Sequence, residues 1–321
     1  MDFQILLTNL TNPTLLFFGL GVIAALVRSD LEIPESTSRF IALYLLFSIG
    51  FKGGQELAHS GLNAEVVYSL LFGLLLSSIV PLYSFFLLRR VVGVSNAGAI
   101  GATFGSVSAV TFVASASFLE AQNIPFGGHM VAVMALMESP AIIVGVILIM
   151  SYDKEAGSAV NLRSIVQHSF TNGSVLMILG SLVIGLIADA KQAEGIRPFT
   201  TDIFKGFLAI FLLEMGMITV RRFGAFRRYG LAVTLFALLV PAFNGSVVAL
   251  ASMLVTTDPG NRFIFAILAA SASYIAVPAA MRLAAPKADP GLYIPMALGV
   301  TFPFNISVGM PLYLMIIHAG M

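Results

Sequence analysis

Residues 96–118 read NAGAIGATFGSVSAVTFVASASF and residues 269–280 read AASASYIAVPAA. The first stretch is long enough to cross about 30 Å of hydrocarbon as a helix. Its Gly98, Gly101, Gly105, Ser106, Ser108 and Thr111 leave little bulk and many hydroxyls. The second carries Ser271, Ser273 and Tyr274 ahead of Pro278, which removes a backbone donor and disfavours helix at the residue before it. A helix in lipid must satisfy its own backbone groups, so an interrupted one is tolerated only where it lines a cavity or is buried in protein. The two stretches therefore predict broken helices at the functional centre.

The rest of the chain supplies the membrane context. Of 321 residues, 58% are hydrophobic and 10% charged, about half the charge of a soluble domain. The alternating pattern of a membrane β-barrel is missing. A net charge of +1 without a basic face excludes nucleic acid as a partner. There is no cysteine, and His59, His129, His168 and His318 are scattered, which leaves neither thiolate chemistry nor a paired zinc motif. The N-terminal MDFQILLTNLTNP is acidic and has no small-residue cleavage site, so the first apolar segment is expected to stay as a span.

Apolar runs give ten expected spans, near 13–28, 38–51, 64–88, 96–118, 128–151, 173–190, 203–220, 229–255, 262–283 and 292–318. One set of alternate loops holds Arg28, Arg39, Arg89, Arg90, Lys154, Arg163, Arg221, Arg222, Arg227, Arg228, Arg282 and Lys287; the other holds Lys52, Lys191, Arg197, Lys205 and Arg262. The positive-inside bias puts the richer set in the cytoplasm, and with it both termini outside a plasma (inner) membrane. The halves then run in opposite senses: 1–151 as a first inverted repeat of five spans, 152–172 as a cytoplasmic linker, and 173–321 as a second repeat of five.

Short self-matches follow the same division. TNPTLL at 11–16 resembles TNGSVL at 171–176, and FSIGFK around Gly50 resembles LEMGMI around Gly216. GSVSAV from Gly105 resembles ASASYI from Ala270, and ESP at 138–140 resembles TFP at 301–303. The fold expected is all-α and membrane-integral, with two inverted five-helix repeats whose broken helices cross.

A broken helix offers free N–H groups and the positive end of its dipole, enough to hold a small anion without Lys or Arg. Gly105, Ser106, Ser108 and Thr111 in one half, with Ser271 and Ser273 in the other, are the candidate substrate ligands. Gly and Ser also permit close helix packing, yet the S-x-S pattern in both halves favours a site. Ionisable groups at membrane depth are functional candidates. Glu138, followed by Ser139 and Pro140, is the candidate for ion coupling, together with Tyr274 and Thr301. A sodium ion is expected, where one is used, near Ser108, Ser273 and Glu138. Glu214 reads as a packing or span-end group, Lys52 and Glu56 as an interfacial ion pair, and Asn244 and Asn305 as hydrogen-bonding links between helices. A serine hydrolase would need a base beside Ser106 or Ser271; no His or Lys lies at membrane depth near either.

The strings GATFGSVSAVTFVASASFLE at 101–120, ESPAIIVGVIL at 138–148 and AASASYIAVPAAMRLAAPKADPGLYI at 269–294 resemble the cyanobacterial-type sodium-dependent bicarbonate permeases, in the same order over nearly the whole chain. That resemblance implies a homotrimer of ten-span subunits. In each, a core domain moves against a scaffold in the elevator manner and imports bicarbonate with sodium. By motif, Ser106, Ser108, Thr111, Ser271 and Ser273 fall in the family's site segments, and Glu138 stands where the family has Asp. Tyr274 takes the place of a family acid, and a neutral Tyr cannot balance a sodium ion as a carboxylate does. Three expectations stay open: sodium held by hydroxyls and carbonyls alone, a proton coupled through Glu138, or uncoupled transport. The linker is shorter than in those permeases, so regulation by a PII-like protein is the weaker expectation. Other cargoes also remain, either another small organic anion or a cation exchanged for protons. No organic cofactor is expected.

Overall fold

The computed structural model describes residues 11–61, 63–153, 167, 171–226 and 230–320. Lys154, Arg163, His168, Arg227, Arg228, most of the 152–172 linker and both termini lie outside the described residues. The described residues form helices and no strand.

In chain order the first part holds α1 (Pro13–Leu26), α2 (Glu35–Ser60), α3 (Ala64–Val92), α4 (Val94–Gly105), α5 (Ala109–Ala121) and α6 (His129–Tyr152). The second holds α7 (Gly173–Ile187), α8 (Ala190–Arg197), α9 (Phe204–Phe226), α10 (Leu231–Ala251), α11 (Pro259–Ala270), α12 (Ala276–Ala284) and the helical run α13 (Pro290–Ala319). Local chemistry sets many of the starts. Asn12 accepts from Thr14 N and Asn172 from Ser174 N, each at 2.9 Å, so both TN dipeptides are N-caps. Asp258 caps α11 ahead of Pro259 at the first position, where a missing N–H costs nothing.

Six helical segments are long and apolar enough to cross a membrane: α3, the 94–121 region containing α4 and α5, α6, the 190–222 region, the 231–254 region and α13. Two more, α1 and α7, are apolar but shorter. The other two expected spans also miss the spanning criteria, for separate reasons. α2 carries Lys52, Gln55 and Glu56, and α11 and α12 are each too short on their own.

Burial separates the roles of the helices. The most apolar window of 94–121 is 94% buried, against 33% for α3. On α3, Val67, Leu71, Leu75, Ile79, Leu82 and Phe86 form an exposed stripe at helical spacing. An apolar face of that extent suits hydrocarbon rather than water. The interrupted helices α4–α5 and α11–α12 are the interior elements.

Glycines set how closely the other helices approach. α2 packs along α7, and α1 along α9. A Cβ on Gly50 would lie 2.7 Å from the Ile178 carbonyl oxygen, and one on Gly216 would run into the Phe18 carbonyl. Backbone therefore meets backbone at both crossings, as small residues allow between membrane helices. Two clusters of buried apolar side chains result, and Tyr274 and Ile294 touch both.

Gly50→Leu should overpack this crossing and lower the melting temperature of the purified protein in detergent, at a cost of about 1–3 kcal/mol. Gly180→Ala, with open space where its Cβ would go, should melt as the wild type does.

Candidate functional site

The first interruption runs from Gly105, the last residue of α4, to Ala109, the first of α5; the second runs from Ala270 to Ala276. Apart from the exposed Ile275 and the half-buried Ala109 and Tyr274 both are buried, so most of the groups they free need partners inside the protein. The interruptions supply them to each other. Ser108 N donates to Ser271 Oγ at 3.1 Å, and Ser273 N donates to Thr103 O at 2.8 Å. Ser271 Oγ in turn donates to Leu268 O at 2.9 Å. The S-x-S segments thus cross in direct contact.

Ser108 is also the N-cap of α5, where its Oγ accepts from Thr111 N at 3.2 Å. The first intrahelical bond of α5 is Phe112 N to Ser108 O, which leaves the N–H groups of Ala109 and Val110 without an intrahelical acceptor. At the second break, α12 begins after Ile275 with no side-chain cap. Ala109 and Ala276, the first residues of these two half-helices, line the same small cavity. Ser108, Glu138, Ser273 and Tyr274 line it too, with Leu46 of α2 and Ser174 and Ile178 of α7 opposite. Its volume is about 20 Å³, room for one water-sized particle. Among the described residues no Lys, Arg or His lies within 4.0 Å of the Glu138 carboxyl. The positive field in the cavity therefore comes from helix ends.

The expected site residues divide into groups. Ser108, Ser273, Tyr274 and Glu138 meet at the cavity, with Ser271 directly behind Ser108. Ser106 and Ser139 are buried, and their Oγ atoms have no partner. A Cβ on Gly105 would strike the Pro81 ring, so this glycine lets α4 close on α3. The Thr111 side chain is buried and its N–H is held by Ser108. Thr301 stands apart from the cavity lining: its hydroxyl donates to Ala237 O at 2.7 Å and ties α13 to α10.

Two asparagines have a larger part than links between neighbouring helices. Asn305 Nδ2 donates to Ala270 O at 2.8 Å, and Asn244 Nδ2 donates to Ala269 O at 3.2 Å. They answer the orphan carbonyls at the broken end of α11. Tyr313 and Tyr83 hold their Oδ1 atoms at 3.3 and 2.7 Å. Thr103, which receives the second break, carried no sequence signal beyond its place in the small-residue stretch.

A larger cavity of about 390 Å³ lies near the far ends of α2 and α5, lined in part by Lys52, Glu56, Ser117, Glu120 and Asn123. Lys205 pairs with Glu120 at 3.1 Å beside it. Lys52 and Glu56 do not form the expected close pair. No carboxylate lies within 4.0 Å of the Lys52 ammonium among the described residues, which sits over the Phe204 ring at 5.7 Å.

Apolar helices around a buried cavity at two crossed interruptions define a multi-pass α-helical membrane protein. The sequence model of the Na+-dependent bicarbonate transporter superfamily matches residues 13–318, and the chain belongs to that family. A search of curated proteins gave no significant match.

Asn305→Ala should strand the buried Ala270 carbonyl, at a cost of about 1–3 kcal/mol. A lower melting temperature for this variant than for Ser307→Ala, whose hydroxyl only returns to Pro303 O within its own helix, checks the assignment.

Proposed function

We propose that this protein carries a small anion, bicarbonate, across the plasma membrane together with sodium, by alternating access. The observation that supports it most is the convergence of two helix N-termini on one cavity that no basic side chain enters. Uncapped N–H groups and the dipoles behind them suit a small oxyanion, and the Ser108 and Ser273 hydroxyls stand ready to donate to it. Family membership carries the choice of bicarbonate and sodium. Glu138 at the cavity wall and Tyr274 beside it belong to the cation side of the site.

The finer architecture belongs to the same reading: ten spans in two inverted five-helix repeats, both termini outside, and a homotrimer. Contacts that recur between the halves support the repeat. Gly50 faces the Ile178 carbonyl as Gly216 faces that of Phe18, Asn12 and Asn172 cap equivalent helices, and Pro81 and Pro241 lie inside α3 and α10. α1, α2, α7 and α9 would form the scaffold, and the interrupted helices with α3, α6, α10 and α13 the moving core. A cavity of about 20 Å³ is smaller than bicarbonate needs, so loading would require α2 and α7 to part from the interruptions. An elevator movement of the core does that.

In liposomes, labelled bicarbonate should accumulate when a sodium gradient is imposed, and a proton gradient alone should not drive it. Accumulation under neither gradient removes the symport reading. Ser108→Ala and Ser273→Ala should each abolish uptake while the protein still inserts and assembles; wild-type uptake by both would remove the proposed site.

A further inference from the structure

The larger cavity, of about 390 Å³, follows the small one along the same three helices. Leu46 of α2, Ala109 of α5 and Ala135 of α6 line the small cavity, and Ile49, Ala116 and Val131 line the large one. All three steps lead toward the turn between α5 and α6, which meets α2 where a Cβ on Gly53 would lie 3.2 Å from the Gly128 carbonyl oxygen. At about 1.5 Å per helical residue, the steps put the two spaces roughly 5–10 Å apart. On α5 the intervening turn carries Phe112 and Val113, both buried. The Phe112 ring meets the Phe126 ring of the large cavity edge to face, with centroids 6.0 Å apart. Phe112 thus stands between the two spaces.

The charges around the large cavity are unevenly answered. Glu120 pairs with Lys205 at 3.1 Å, and Glu56 is exposed. Lys52 is half-buried, and among the described residues no carboxylate lies within 4.0 Å of its ammonium. A lysine kept only for its stem would carry its head out to water; this one turns it over the Phe204 ring on the cavity lining. A cation without a close counter-ion, set among low-dielectric walls, draws anions more strongly than one in open solvent. The Ser117 hydroxyl and the Asn123 amide, on the same lining, can donate to such a ligand. The volume holds a small oxyanion together with several waters. We propose that this cavity is the entry vestibule of the transporter, and that the Lys52 ammonium holds the incoming oxyanion there before it passes Phe112. The inference rests on the transport reading. Lys52 and Lys205 belong to the loops poorer in Lys and Arg, so on that reading the vestibule opens on the outer face. Its walls come from the scaffold helix α2 and from α5 and α6 of the core, so outward movement of the core along α2 brings the transport cavity toward Lys52.

The chain has no cysteine, so a single introduced thiol reports on this cavity alone. Ala116→Cys is treated in intact cells, from outside, with a sulfonate-bearing or a quaternary-ammonium-bearing methanethiosulfonate, each rate being taken relative to that of a small free thiol. The anionic reagent should react about tenfold faster than the cationic one, and bicarbonate should slow it. Adding Lys52→Gln should remove both the preference and the protection, and Lys52→Arg should keep them. If Ala116→Cys fails to reach the membrane, Ile124→Cys in the turn carries the test with the same expected rates. Equal rates for the two reagents, a preference that survives Lys52→Gln, or no labelling from outside at either position overturns the vestibule, and bicarbonate uptake by the wild type then leaves the transport reading in place. A preference that depends on Lys52 in a protein that takes up no bicarbonate supports the anion site and overturns the transport reading instead.

Discussion

A polypeptide in hydrocarbon has no water to turn to, so every backbone N–H and C=O freed by a break in a helix must find a partner within the protein. This chain has two such breaks in its most buried elements, and much of its architecture answers them. Ser108 N crosses to Ser271 Oγ in the opposite interruption, and Ser273 N crosses to Thr103 O in the last turn of α4. The carbonyls of Ala269 and Ala270 are taken by Asn244 and Asn305, whose Oδ1 atoms accept from the half-buried Tyr83 and the buried Tyr313. The two breaks occur as a crossed pair, and Ala109 and Ala276, the first residues of the half-helices that follow them, line the cavity.

The surrounding helices make that crossing possible by keeping close to one another. Without a hydrophobic force between helices in lipid, association relies on dispersion and on short backbone approach. Gly50, Gly54 and Gly185 let α2 and α7 meet backbone to backbone, and Gly21 and Gly216 do the same for α1 and α9. Gly101 and Gly105 perform a related task inside, where they bring α4 onto the Pro81 turn of α3. The small residues that drew attention as a possible site therefore serve two ends. The glycines govern approach, and the buried Ser108 and Ser273 line the cavity.

Much of this was legible in the sequence because it is local. The Gly/Ser run before Thr111, the S-x-S before Pro278 and the two TN dipeptides all act through residues within a few positions, and the structure places interruptions and caps there. What escaped depends on partners far along the chain. Asn305 and Ala270 are 35 positions apart, Asn244 and Tyr83 are 161 apart, and Thr301 turns to Ala237. Nothing near an asparagine in the sequence announces that it caps a helix from the side. Lys52 and Glu56 had the spacing of an ion pair, but the Lys52 ammonium sits over the Phe204 ring instead. Spans were harder to delimit where charge or a break interrupts the apolar run, as in α2 and in α11–α12.

The two ions of the proposed reaction pose one electrostatic problem. Burying an anion alone costs several kcal/mol even with helix N-termini turned toward it, and burying a cation alone costs as much. Placed a few ångströms apart in a medium of low dielectric, each lowers the cost of the other by Coulomb attraction that water would largely screen. The cavity suits such an arrangement, with helix N-termini, serine hydroxyls and Glu138 all on its lining. The lining carries no fixed positive charge, so an anion that enters without a cation meets only dipoles, and one that enters with it meets a complete pair. On the proposed reading, coupling needs no separate gate. A sodium ion would then take the place of a basic side chain, since among the described residues no Lys or Arg lines the cavity.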